Sequence, residues 1–413
     1  MLPPPLLALC LLSAPQQELL HEDFDVLCEE VASRYAYHDR TAVDWGPVRA
    51  AFRPRAESVQ SKGELLALLE DALEALRDHH VHLGVNGASS PRLVPSHVDL
   101  WLEWIGGEAR VTSVRLGSDA ARAGIVPGDV VRSLGGRDVA ELAALRLGLS
   151  EAGLLERVGV SNRGAVDWAL RAELAGRWDQ PRTLTVEGRA GERTLTLGDG
   201  WAPRRDGPLF AGLLGEGDER VGYVRLHDSL GNSAAVARFD AALGQLRGVD
   251  ALIVDLRETP GGGNSSVARG ILGHFVTSPR PYQRHVLVEE ERATGIPRSW
   301  TEEVWPRAPH FAGRVLVLVG RWTGSMGEGL ALGFDAIGAE VVGGPMSGLL
   351  GALLEVELPR SGWVVRFANE ALTHVDGTPR EAWRPPVLVA DATPGDDVDD
   401  VLEAALERAR EER

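Results

Sequence analysis

The sequence predicts an α/β protein with a helical N-terminal region and a β-rich module ahead of the main sheet. Three observations predict it. Strand and helix alternate from Val221 onward, the strands are continuous apolar runs, and the preceding stretch passes from a helical period to short β-rich runs. From Glu18 to about Leu83 the period is helical: Ser61 and Glu64 have capping-box spacing, and Leu65, Leu69, Leu73 and Leu76 follow every three or four residues. Residues 84–96 form a Gly, Ser and Pro linker. Between His97 and Leu197 the runs VDLWLEWI, ARVTSVRL, RTLTVEG and ERTLTL read as strands, with a helical insert near residues 140–175. VGYVRL, ALIVDL, RVLVLVG and AEVVGG then read as strands of a sheet covered on both faces by amphipathic helices. ALLEVELP and GWVVRFA read as an antiparallel pair, and a helix with an acidic start and a basic end closes the chain. The expected divisions are 1–17, 18–92, 93–200 and 201–413.

A hydrophobic share of 44% and a charged share of 25% describe a soluble globular protein and exclude a disordered, collagen-like or multispan membrane chain. The net charge of −17 would repel a phosphate backbone, so no nucleic acid partner is expected. Lys62 is the sole lysine among 43 basic residues. Cys10 and Cys28 alone cannot build a disulfide framework or a thiolate zinc site. The opening MLPPPLLALCLLSAPQQ has the apolar length and small-residue end of an export leader, without the positive flank, and implies a periplasmic or secreted protein. Leu9 is too large for the position before a lipidated cysteine.

Two strand-to-helix junctions carry the chemistry. In DLRETPGGGNSS, Gly261, Gly262 and Gly263 follow a buried strand, where backbone amides can face an anion. No lysine follows, which excludes a nucleotide-binding P-loop and leaves a tight turn or an oxyanion hole. In RVLVLVGRWTGSMGEG, Ser325 opens a helix with the amide of Met326 next to it, as in a nucleophile elbow; a plain helix cap with Glu328 in the box position is the other reading.

The order AARAGIVPGDVV, GYVRL, DLRETPGGG and TGSMGE resembles the carboxyl-terminal processing (tail-specific) peptidase family, which includes the tricorn core protease and the retinoid-binding repeats of the eye. The resemblance implies a PDZ domain followed by a crotonase-like (ClpP-like) α/β domain. It further implies a serine activated either by a downstream lysine or by a histidine from the N-terminal helical region. With no lysine after position 62 the histidine branch remains. Its helix-end motif aligns with Leu76, Arg77, Asp78, His79 and His80, making His80 the implied general base, with activity rising through a pKa near 6 to 7. His79 stands where the family has a glycine or serine. His80 and His82 on an extended strand also permit a metal pair, yet no carboxylate or cysteine cluster with ligand spacing accompanies them.

A carboxylate orienting the imidazole is implied in DGTPREAWRPP, which nominates Glu381, with Glu370 as fallback. The expectation is therefore a serine endopeptidase using Ser325, His80 and Glu381, an oxyanion hole from Gly261, Gly262 and Met326, and no cofactor or metal. Its partner is a polypeptide substrate, recognised in part through the PDZ-like module. Because His79 and the WRPP segment depart from the family pattern, a non-catalytic peptide- or lipid-binding member of the same fold is the alternative.

Overall fold

A computed structural model describes residues 14–41, 44–149, 163–189, 191–198, 208–217, 220–390 and 398–411. The proposed leader lies almost wholly outside the described residues, as does the middle of the 140–175 insert. Among the described residues no helix is long and apolar enough to cross a membrane.

The main sheet has six strands in the spatial order Val387–Leu388, Glu340–Gly343, Arg314–Val319, Ala251–Gly263, Val221–Leu230 and Leu209–Leu214. The first five are parallel to their neighbours, and Leu209–Leu214 joins the edge antiparallel. Alternate residues explain the unbroken apolar runs. Leu252, Val254, Val317 and Val319 pack with helices Ala234–Gln245, Ser265–Leu272 and Met326–Ala336. Ile253, Leu316 and Leu318 face the opposite way, toward Val401, Ala405 and Leu406 of the closing helix Asp400–Arg410.

A second sheet runs His82–Leu83, Val364–Thr373, Arg280–Leu287 and Arg298–Val304, with Ala352–Glu357 also paired to Val364–Thr373. The N-terminal helices pack on it. Ser61 caps Lys62–Leu73 by accepting the Glu64 amide at 3.2 Å, and Leu65, Leu68, Leu69 and Leu76 are fully buried. They share one core with Phe24 and Leu27 and with Leu358, Val365, Phe367 and Ala368 from near the other end of the chain. Burying each such side chain contributes roughly 1.5–3 kcal/mol, so the N-terminal helices and the C-terminal strands stand or fall together. The expected boundary near residue 92 therefore separates segments of sequence, while the core runs across it.

The β-rich segment forms an antiparallel sheet of Leu100–Ile105, Glu108–Val114, Val130–Leu134, Arg182–Gly188 and Gly191–Leu197, with helices Val139–Arg146 and Arg163–Ala175 beside it. It is tied to the main domain by the buried Arg115–Glu258 ion pair at 2.7 Å and by Trp322 Nε1 donating to the Val98 carbonyl at 2.8 Å.

Candidate active site

Ser325 sits in the sharp turn between Arg314–Val319 and Met326–Ala336, with φ +49° and ψ −116°, a conformation that costs a side-chain-bearing residue about 1–3 kcal/mol. The turn is over-determined by its surroundings. Thr323 Oγ1 donates to the Leu256 carbonyl at 2.8 Å, Gly324 N donates to the Thr259 carbonyl at 2.9 Å, and the Ser325 amide donates to Glu328 Oε2 at 2.8 Å. The glycines of the motif let the backbones touch: a Cβ on Gly324 would lie 2.5 Å from the Pro260 carbonyl oxygen, and one on Gly261 would lie 2.8 Å from Ser325 Cβ. Glu328 thus reaches back to the Ser325 amide as a capping-box acid does, while the serine hydroxyl is turned to a histidine.

That histidine is His80. Its loop leaves the helical region through Arg77 at φ +50°, and Asp78 then accepts the His80 amide at 2.8 Å while its other oxygen accepts the Tyr35 hydroxyl at 2.9 Å. Antiparallel pairing of His82 with Arg366 anchors the far side of the loop. The result brings His80 Nε2 to 2.8 Å from Ser325 Oγ across 245 residues of sequence. His80 Nδ1 lies 2.6 Å from the Leu350 carbonyl. A carbonyl only accepts, so Nδ1 carries the hydrogen and Nε2 presents its lone pair to the serine hydroxyl, the tautomer required for proton abstraction. Burial, assisted by the Arg380 charge and only partly opposed by the Leu350 bond, pulls the imidazole down to about 3. This departs from the 6 to 7 expected from the sequence because the ring is largely buried and its partner is a neutral carbonyl rather than a carboxylate.

Glu381, expected at the far nitrogen, does not occupy that place. The Ser347–Gly351 segment does, and Glu381 lines a neighbouring cavity of about 540 Å³ with Gly348, Leu349 and Leu350. The fallback Glu370 accepts from His285 Nδ1 at 2.7 Å. The physical reason for the correction is a two-sided clamp on the 347–351 segment. Arg380 donates to the Leu349 and Gly351 carbonyls at 2.9 and 2.8 Å, and Glu328 accepts the Gly348 and Leu349 amides at 2.9 and 3.2 Å. Glu328 is fully buried, and burial pushes its carboxyl up to about 7 against the Arg380 charge and three backbone amides. Sequence reading missed both clamping residues as parts of the site. Glu328 lay in the quoted motif, and Arg380 stands next to the carboxylate singled out.

Ser325, His80, Gly262 and Met326 line one cleft of about 680 Å³. Met326 is the first residue of its helix, where amides have no intrahelical acceptor. Gly261 serves the close approach behind Ser325, and Gly262 opens onto the cleft. His79 stacks on Trp168 of the β-rich segment, ring centres 5.9 Å apart. Among the described residues no group of three or more His, Cys, Asp or Glu is arranged to hold a metal ion. A base with its lone pair on an exposed-edge hydroxyl, next to first-turn amides, can perform nucleophilic acyl transfer.

Known proteins resemble this chain in two of its segments. Residues 220–384 match Peptidase family S41, and residues 17–74 match the tricorn protease C1 domain. A carboxyl-terminal-processing protease of Picosynechococcus sp. is 29% identical over 274 residues, which span 62% of this chain and 59% of that relative. The photosystem II D1 C-terminal processing protease superposes with a TM-score of 0.58 at 18% identity, covering 96% of this chain and 97% of that one. Mature CPAF, solved in complex with lactacystin, gives 0.57 at 15% identity, covering 91% and 94%. At these identities the two structures speak for the fold. Ser325 lies inside the segment that matches Peptidase family S41, and His80 follows shortly after the segment that matches the tricorn protease C1 domain, so the chain is similar to S41 peptidases in the parts that meet at this contact.

Proposed function

We propose that this protein is a serine endopeptidase in which Ser325 attacks the peptide carbonyl and His80 takes its proton and returns it to the leaving amine. The observation that carries the reading is the 2.8 Å approach of His80 Nε2 to Ser325 Oγ at a strained strand-to-helix turn. In this reading the amides of Gly262 and Met326 hold the developing oxyanion, and the Leu350 carbonyl keeps the imidazole in its productive tautomer. Arg380 and Glu328 act as positioning residues through the 347–351 segment.

The finer architecture belongs to the same proposal. The stretch 201–413 serves as a crotonase-like catalytic domain, and the β-rich segment serves as a PDZ-like module that presents polypeptide substrates. Export to a periplasmic or extracellular space rests on the apolar opening of the sequence. The test is labelling of the intact chain by a fluorophosphonate together with cleavage of an unfolded protein substrate. Both should vanish in Ser325→Ala and survive in Ser58→Ala, at an exposed helix end away from the cleft. Retention of cleavage by Ser325→Ala would remove the assignment.

A further inference from the structure

The cleft beside Ser325 contains a charged cluster that the reaction does not use. His285 on Arg280–Leu287 donates from Nδ1 to Glu370 on Val364–Thr373 at 2.7 Å, and its Nε2 lies 3.5 Å from Glu302 on Arg298–Val304. Its ring stacks on Trp300, centres 4.9 Å apart and planes 14° from parallel. Burial works against a charge on this ring, yet the bonds from Glu302 and Glu370 carry it up to about 9, while Glu302, also bonded by Tyr282, is held down at about 2. At neutral pH the cluster therefore holds two carboxylates and one imidazolium, an excess of one negative charge.

The two arginines that line the cleft are held by partners outside this cluster. Arg366 is bonded to Glu355 at 2.7 Å, and Arg380 is turned into the 347–351 segment. Gln283, only 2% exposed, sits against the first turn of the Ser325 helix: its Oε1 is 3.1 Å from where a Cβ on Gly329 would stand. Its other amide atom faces His285 Nε2 at 2.9 Å. A charged imidazole donates from both nitrogens, so the amide oxygen belongs toward His285 and the NH2 toward Gly329. As placed, the amide atom on the Gly329 side has no partner among the described residues. Trp300 keeps 37% of its surface exposed. The carboxylates of Glu302 and Glu370 retain 18% and 23% exposure, so their outer oxygens can still accept.

We propose that Glu302, Glu370, His285 and Trp300 form the side-chain subsite of the cleft and that it selects a cationic residue, arginine or lysine, in the peptide lying across Ser325. Two carboxylates with free lone pairs beside an open indole face suit a guanidinium, which can bond bidentately and stack at once. The imidazolium holds the two acids together, and within the cluster one negative charge remains for the substrate to meet. The location next to a scissile bond rests on the peptidase reading; the charge preference of the cleft does not.

The two are separated by measuring binding apart from cleavage. Dye-labelled peptides that differ at one position, carrying arginine, norleucine or glutamate, are titrated into the full-length Ser325→Ala chain by fluorescence anisotropy. The arginyl peptide should bind at least tenfold more tightly than the norleucine peptide, with the glutamyl peptide weakest. The advantage should fall to within about twofold in Glu302→Gln or Glu370→Gln combined with Ser325→Ala. Equal binding of the three peptides, no binding by any of them at millimolar concentration, or an arginine advantage unchanged in both glutamine variants would overturn the subsite. Absent fluorophosphonate labelling and absent cleavage by the unaltered chain would instead remove the peptidase reading, whatever the binding series gives.

Discussion

Lowering the pH of the free protein from 8 to 4.5 should leave His80 uncharged. Burial holds this imidazole at about 3, well below an ordinary 6.5, which sets several kcal/mol against the imidazolium. The sign follows from proton counting. The native state binds fewer protons than the unfolded chain, so the contribution to stability is present above pH 6.5 and is lost as the pH falls through 6.5 toward 3. Imidazole nitrogen shifts, read by long-range ¹⁵N–¹H spectra with His80→Gln identifying one resonance set among 11 histidines, measure the charge directly. Between pH 4.5 and 8 the His80 set should stay that of a neutral ring protonated on Nδ1. Any rise of kcat/KM near pH 7 then belongs to Glu328, whose carboxyl stands at about 7 and whose ionised form accepts three amides around the nucleophile. Glu328→Gln should flatten that limb at a level about tenfold lower, the size expected for weakening charge-assisted bonds. A His80 titration with its midpoint between 6 and 7 would refute the reasoning, because the desolvation argued from its surroundings would then be absent.

Arg380→Ala should lower kcat by one to two orders of magnitude with little change in KM, and Arg380→Lys should recover part of it, because the substitution frees the Leu349 and Gly351 carbonyls that flank the His80 acceptor. Glu381→Gln should stay within about threefold of the parent in the same assay. Glu258→Ala should destabilise the fold by about 3–5 kcal/mol in a urea melt, since it strands the buried Arg115 charge, and Arg115→Met with Glu258→Leu should restore most of that. Removing residues 1–96 should yield a chain without a cooperative thermal transition, as it strips most of the core shared with Val365 and Phe367.

The main sheet was legible because both of its faces are covered, so its strands appear as unbroken apolar runs between helices of clear period. Arg280–Leu287 and Arg298–Val304 were not, since Pro281 interrupts the first and the second is exposed almost throughout, leaving no alternation to read. Ser325 was legible from its local motif, a serine between small residues at a strand end, whereas His80 was singled out only through the family resemblance. The third partner was not, because a main-chain carbonyl carries no residue identity. Any side chain at position 350 would offer the same oxygen. What selects that oxygen is the pairing of Arg380 and Glu328 with opposite sides of one segment, a relation visible only in three dimensions. Separate N- and C-terminal domains were expected because the linker at 84–96 is conspicuous, while the shared core leaves no local mark.

The pairing of His82 with Arg366 also fixes an order of events. A chain emerging from the ribosome presents its histidine early and its serine late, yet the strand that carries the histidine into place is among the last to be made. Until Val364–Thr373 has appeared and docked, the two groups are strangers, and any partly unfolded molecule that loses this strand parts them again. Competence at Ser325 therefore reports completion of the fold, so truncated or damaged copies are silent by construction.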